Sequence, residues 1–209
     1  NRLFQGKVYN RQVDLMSSDI NLQLWDSKKL LREWEMLPEE CSHQREIRNY
    51  QQKPIDNIIN AFTSSEHRSG LIIMATGLGK TFVASKAIGS LLKDNSNKVK
   101  KILVLAHVNE LVYQLEKAFE TILNKHQSTA VWNGYECGDL TGSTLVFACI
   151  DSVVSKINQE GNLAEIYDLI IIDEAHHAGS SSYLKLINET LAGTNNGPYL
   201  LGLTATPWR

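Results

Sequence analysis

Short apolar runs alternating with amphipathic helix patterns constrain this chain more than any other feature. The runs are Leu71–Met74, Ile102–Ala106, Thr144–Cys149, Leu169–Ile172 and Leu200–Thr204. A strand that is apolar at nearly every position has both faces buried, and such strands separated by helices predict a mainly parallel sheet covered by helices on both faces. The intervening helices show their own spacing. Ala84, Ala87, Ile88 and Leu91 form one stripe, and Leu111, Leu115, Ala118, Phe119 and Ile122 form another. Stripes of this kind are core-facing surfaces rather than ligand boxes. The polar stretch Lys93–Lys101, with Asp94, Asn95, Ser96 and Asn97, reads as a loop with solvated lysines.

The first 45 residues lack this rhythm. Ile20, Leu22 and Leu24 alternate with polar neighbours as in a half-buried strand. Ser27 can cap a helix that carries Leu30, Leu31 and Trp34, and Pro38 with Glu39 and Glu40 looks like a linker. The division expected is therefore residues 1–45 as a small N-terminal extension and linker, and residues 46–209 as the main α/β domain.

A chain of 209 residues, 43% hydrophobic and 21% charged, can build a core without disulfide or metal staples. No apolar run approaches the roughly eighteen residues of a membrane span. Cys41, Cys137 and Cys149 share no metal-ligand spacing and no signal-peptide pattern opens the chain, so a cytoplasmic location is expected. The net charge of -2 gives no global field for nucleic acid, so any such contact must be local. The chain begins at Asn1 without methionine and ends just after an informative motif, and it reads as a fragment.

The chemistry concentrates after the first strand. Ala75, Thr76, Gly77, Leu78, Gly79, Lys80 and Thr81 lead into a helix. Glycines let main-chain N–H groups turn inward around phosphate oxygens, and the helix N-terminus adds its positive end. Lys80 is placed to neutralise the terminal phosphates of a nucleotide and Thr81 to offer its hydroxyl to Mg²⁺. The full pattern would want glycine where this chain has Met74, and a chance Gly-rich turn is the alternative.

A second acidic partner is expected at the end of another buried strand. Asp173, Glu174, Ala175 and His176 follow Leu169–Ile172. Asp173 would hold the metal, and Glu174 would orient and polarise the attacking water. Two solvated acids at a strand end are the alternative. His176 and His177 suggest zinc, but no further His or Cys stands at ligand spacing.

Together these residues resemble the first RecA-like motor domain of superfamily 2 helicases and translocases. The likeness is to the DEAH-type branch that includes the motor subunits of type I and type III restriction enzymes. Ala75–Thr81 resembles motif I, Asp173–His176 motif II, and Leu203, Thr204, Ala205, Thr206 and Pro207 motif III. The ordered match spans about Glu46 to Arg209. It implies a P-loop fold, ATP and Mg²⁺ as cofactors, and coupling of hydrolysis to movement through His176, Thr204 and Thr206. Arg48, Asn49, Tyr50 and Gln51 are similar to the adenine-reading motif, in which the Gln51 amide would pair with N6 and N7 of adenine. A surface glutamine is the other reading.

Leu105–Glu110 resembles motif Ia and Phe147–Val153 motif Ib, which in that family touch the sugar-phosphate track. Here the chain departs from pattern. Relatives often carry arginine where Val108 stands, and threonine and glutamine where Cys149 and Asp151 stand. A valine cannot neutralise phosphate and an aspartate repels it, so grip must be weaker or made by main-chain groups. His107, Asn109 and Ser152 remain as candidate nucleic-acid contacts, with plain loop residues as the alternative. Ile20–Asp26 and the helix after it look like the end of an Mrr-type nuclease domain, although no nuclease signature is recognisable there and an ordinary extension stays open.

The resemblance implies a nucleic-acid-dependent ATPase, a helicase or translocase acting on DNA ahead of RNA, within a restriction or phage-defence enzyme. Its partners would be nucleic acid, a second RecA-like domain in the same full-length chain and nuclease or other restriction modules, with no membrane. The second domain would contribute arginines worth about 10³–10⁵ in rate, so the fragment alone is expected to hydrolyse ATP poorly. The rival readings are an ATP-gated clamp or sensor that does not translocate, an RNA helicase, and a P-loop small-molecule kinase. The kinase is disfavoured because Asp173, Glu174 and His176 suit water activation better than transfer to a metabolite.

Overall fold

A computed structural model of the chain describes residues 46–64, 67–94, 98–120, 127–160 and 167–206. The strand at Ile20–Leu24, the helix after Ser27, the linker at Pro38 and the nuclease-like tail lie outside the described residues, as do Asn95–Asn97, Ile122 and Pro207.

The described residues open with helix α1 (Asn49–Thr63), strand β1 (Ser69–Ile73) and helix α2 (Lys80–Lys93). Strand β2 (Ile102–Ala106), helix α3 (Asn109–Glu120), strand β3 (Thr129–Trp132) and strand β4 (Leu145–Cys149) follow. Helix α4 (Ile150–Glu160) leads to strand β5 (Leu169–Asp173), and a 3₁₀ turn (Ala175–His177) to helix α5 (Ser181–Thr190) and strand β6 (Tyr199–Thr204). All six strands pair in parallel in the order β1-β6-β5-β2-β4-β3. The parallel α/β sheet expected from the alternating runs is present.

Its faces are separated by the two-residue period of the strands. Ile102, Val104, Ala106, Phe147, Leu169 and Ile171 pack on one side with Ile55 and Ile58 of α1, Val83 and Ile88 of α2, and Leu115 and Phe119 of α3. Leu103, Leu105, Val146, Ala148, Ile170 and Ile172 pack on the other with Val153 and Ile157 of α4 and Tyr183 and Leu186 of α5. Covering both faces is why the central strands show no alternation in sequence.

Two features differ from the sequence reading. Among the described residues strand β1, expected to be buried on both faces, lies at the edge of the sheet beside β6, with Leu71 42% and Ile73 50% exposed. Strand β3 was not anticipated, since Thr129–Trp132 is only four residues long and carries no readable period. Among the described residues no helix is long and apolar enough to cross a membrane.

Candidate active site

Ligand-bearing loops of a parallel sheet gather at the carboxyl ends of its strands. The loop after β1 turns through Gly77 at φ 82° and Gly79 at φ 87°, conformations that disfavour any residue with a Cβ. At Gly79 space is also closed, since an added Cβ would lie 2.8 Å from Gln51 Nε2. Leu78 N–H donates to Ala75 O at 3.1 Å, and Val83 N–H donates to Gly79 O at 2.9 Å. The departure at Met74 has a packing reason. Its side chain is buried, and its N–H donates to Thr204 O at 3.0 Å, so the residue extends β1 toward β6 and has no need of glycine's freedom.

Lys80, at the start of α2, reaches across to the end of β5. Its Nζ stands 2.5 Å from Glu174 Oε1, with the side chains 14% and 25% exposed. Asp173 is 9% exposed, and its Oδ1 is buried without a hydrogen-bond partner. Burial pushes the Asp173 carboxyl above its ordinary range, with Lys80 opposing and Glu174 adding to the shift. Glu174 adopts φ 50°, an uncommon conformation for a residue with a side chain.

His176 Nδ1 lies 3.3 Å from Glu174 Oε2 and 3.4 Å from Thr204 Oγ1. Thr204 Oγ1 donates to Thr206 O at 3.1 Å and accepts from Thr206 N–H at 3.3 Å. One connected set thus runs from Lys80 through Glu174 and His176 to Thr204 and Thr206. Parallel pairing of β5 with β6 brings these motifs together.

Gln51 holds a different position from a free surface amide. The residue is 5% exposed, its Nε2 donates to Leu78 O at 2.9 Å, and its Oε1 accepts from Arg48 N–H at 3.0 Å. It therefore caps α1 and braces the glycine-rich loop together. Arg48 Nη1 donates to Tyr50 Oη at 3.1 Å, and Tyr50 Oη donates to Leu78 O at 3.4 Å. Tyr50 is thus a second brace. Thr76, Gly77 and Leu78 are exposed at the loop's crest, and Thr81 lies in the first turn of α2.

His107 stands in the loop after β2, Asn109 opens α3, and Ser152 lies in the first turn of α4 after β4. Pairing of Ala106 with Cys149 sets those two loops side by side, and Cys149 Sγ approaches His107 O at 4.0 Å. His107 Nδ1 and Asn109 Oδ1 are buried without partners. Burial pushes the Cys149 thiol up. Asp151 is exposed in the same turn as Ser152.

Residues 44–209 match the family described as type III restriction enzyme, res subunit. The chain belongs to this family. It is 32% identical over 168 residues to the type I restriction enzyme EcoAI endonuclease subunit of Escherichia coli, covering 77% of this chain and 19% of that protein. It is 29% identical over 166 residues to the DNA 3'-5' translocase XPB2 of Sulfurisphaera tokodaii, covering 78% of this chain and 31% of that protein. The crystal structure of the Pyrococcus furiosus Hef helicase domain aligns with a TM-score of 0.63 at 26% identity, over 78% of this chain and 34% of that one. The superfamily 2 motor fold is therefore established for this family member, which spans only a minor part of these relatives.

Sequence reasoning missed several residues that the fold brings to the same edge. The loop after β3 presents Tyr135 at 78% exposure, held by Asn133 Oδ1, which accepts from Tyr135 N–H at 2.8 Å and Glu136 N–H at 3.0 Å. Gly134 there faces Asn109 Nδ2, 3.6 Å from where a Cβ would stand. The His177 ring packs at a tilt against those of His107 and His176. The Asn-Gly pair at residues 133–134 was the available turn signal, but without β3 it had no strand to follow.

Proposed function

We propose that residues 46–209 are the first motor domain of an ATP-driven DNA helicase or translocase within a restriction or phage-defence enzyme of the cytoplasm. Residues 1–45 form an N-terminal extension in this reading. A second RecA-like domain and restriction modules such as a nuclease are the partners in the full-length chain. The supporting observation is the convergence of Lys80 and Glu174 at 2.5 Å beside a buried Asp173 carboxylate whose Oδ1 has no protein partner.

That orphaned oxygen fits a divalent cation, which is the usual way a buried carboxylate is compensated. Asp173 and the Thr81 hydroxyl would hold Mg²⁺, which when bound offsets phosphate charge. The main-chain N–H groups of Thr76, Gly77 and Gly79 donate to the phosphate oxygens of ATP, and Lys80 transfers its charge from Glu174 to the terminal phosphate. Glu174, released from Lys80, accepts a proton from the attacking water. Gln51 has one N–H and one lone pair left for adenine while it braces the loop. His176 relays the change at Glu174 to Thr204 and Thr206, and thus to motif III. Exposed main chain with His107, Asn109 and Ser152 holds the DNA backbone.

The deciding experiment measures ATP hydrolysis by the full-length protein with duplex DNA, single-stranded DNA and RNA at one fixed salt concentration, because phosphate-driven affinity depends steeply on ionic strength. Stimulation by DNA, lost on Lys80→Ala, is the expected result. ATP consumption indifferent to every nucleic acid sinks the reading.

A further inference from the structure

A row of imidazole rings joins the loop after β2 to the nucleotide site. The His177 ring lies between those of His107 and His176, with centroid separations of 4.7 and 4.1 Å and interplanar angles of 37° and 41°. At one end His107 Nδ1 is buried and without a partner. At the other, His176 Nδ1 is 3.3 Å from Glu174 Oε2, whose second oxygen meets Lys80.

The segment bearing the middle ring is a turn held by its own hydrogen bonds. His177 N–H donates to Glu174 O and Ala178 N–H to Ala175 O, each at 2.9 Å, which closes the turn on itself. The turn is seated through buried Ala175 on β6 at Gly202, where an added Cβ would come 3.0 Å from Ala175 Cβ. Glu174 at φ 50° is held in a left-handed conformation that costs a non-glycine residue about 1–2 kcal/mol, so the turn and not local preference sets where its carboxylate lies. Desolvation, and then the neighbouring His176 and His107, hold the His177 imidazole below its ordinary pKa. A neutral middle ring packs beside its tilted neighbours without like-charge repulsion.

We infer that His177 is a positioning residue through which DNA on the loop after β2 is sensed at Glu174. The inference rests on the nucleic-acid reading of His107 proposed above. A phosphate or sugar engaging His107 displaces its ring, His177 follows, and once ATP has drawn Lys80 off Glu174 the closed turn carries the freed carboxylate toward the water it activates. Glu174 on Lys80 and Glu174 on water are the two discrete arrangements that energetic coupling between sites requires. ATP turnover then rises only on the track. Mere surface packing of three rings would leave stimulation by DNA untouched.

The test compares full-length wild type, His177→Ala and His177→Phe by ATPase rate with and without duplex DNA, by DNA affinity at fixed salt, and by thermal melting. DNA affinity and the DNA-free rate should stay within about twofold in both variants, while stimulation by DNA falls about tenfold in His177→Ala and is largely kept by the flat ring of His177→Phe. Stimulation of His177→Ala equal to wild type overturns the inference. So does a proportional fall of the DNA-free and DNA-stimulated rates, which marks a structural defect. A wild-type protein that no nucleic acid stimulates overturns the underlying motor reading instead, and the relay with it.

Discussion

Lys80 Nζ and Glu174 Oε1 are 2.5 Å apart although 94 positions separate the residues in sequence. The cation suited to phosphate and the carboxylate suited to water are each other's partners. On the proposed reading, binding a nucleotide exchanges one contact for another, and the two residues divide the work of binding and of hydrolysis between them.

That division predicts distinct variants. Lys80→Ala removes the phosphate charge contact and should lose both nucleotide affinity and turnover. Glu174→Gln should keep affinity for a fluorescent ATP analogue while steady-state turnover of the full-length protein drops by about 10²-fold or more, the usual contribution of a general base. Comparable losses of affinity in the two variants would contradict the assignment.

On the proposed reading Asp173 trades stability for function. Burial raises its carboxyl above the ordinary 3.8. A carboxyl raised in the fold binds its proton more tightly there than in the unfolded chain. Its contribution to stability is thus complete below the ordinary value and is lost as pH climbs through the raised one. Asp173→Asn should therefore melt higher than the parent chain at neutral pH without metal or nucleotide, by about 2–4 °C for each kcal/mol recovered. The gain should vanish in acid, and ATPase activity should be abolished. Differential scanning fluorimetry across pH checks the sign.

The loop glycines should differ in cost. Gly77 has no atom within 4 Å of an added Cβ, so Gly77→Ala meets conformational strain alone, about 1–2 kcal/mol. Gly79→Ala meets the same strain and a 2.8 Å encounter with Gln51 Nε2, so it should melt lower than Gly77→Ala. Equal melting temperatures would show that Gln51 swings aside freely.

Gln51 gives a test of bracing against base reading. Its amide spans Leu78 O and Arg48 N–H from a buried position. Loss of one such hydrogen bond is worth about 1 kcal/mol. Gln51→Ala should weaken ATP and GTP together as the loop loosens, and ATP further because the remaining N–H and lone pair are lost to adenine, measured by competition binding. Equal losses for the two nucleotides would leave the amide with bracing alone.

The family, the parallel sheet and the approximate place of each motif were legible because they rest on local patterns. Apolar runs record burial on both faces, and Gly77, Gly79 and Lys80 record the backbone freedom and charge that phosphate demands. The place of β1 at the edge among the described strands was not legible, because a run such as Leu71–Met74 looks the same with one neighbouring strand or two. Nor was β3, whose residues Thr129–Trp132 are too few for a period to emerge.

Sequence alone therefore determined which chemical groups are available and on which side of a strand or turn each falls. Tertiary structure decided their partners: Glu174 with Lys80, Gln51 with Leu78, and His177 with His107. Those contacts depend on the order in which parallel strands pair and on the register of β5 with β6. Both are set by the summed packing of distant segments, and no local window contains that sum.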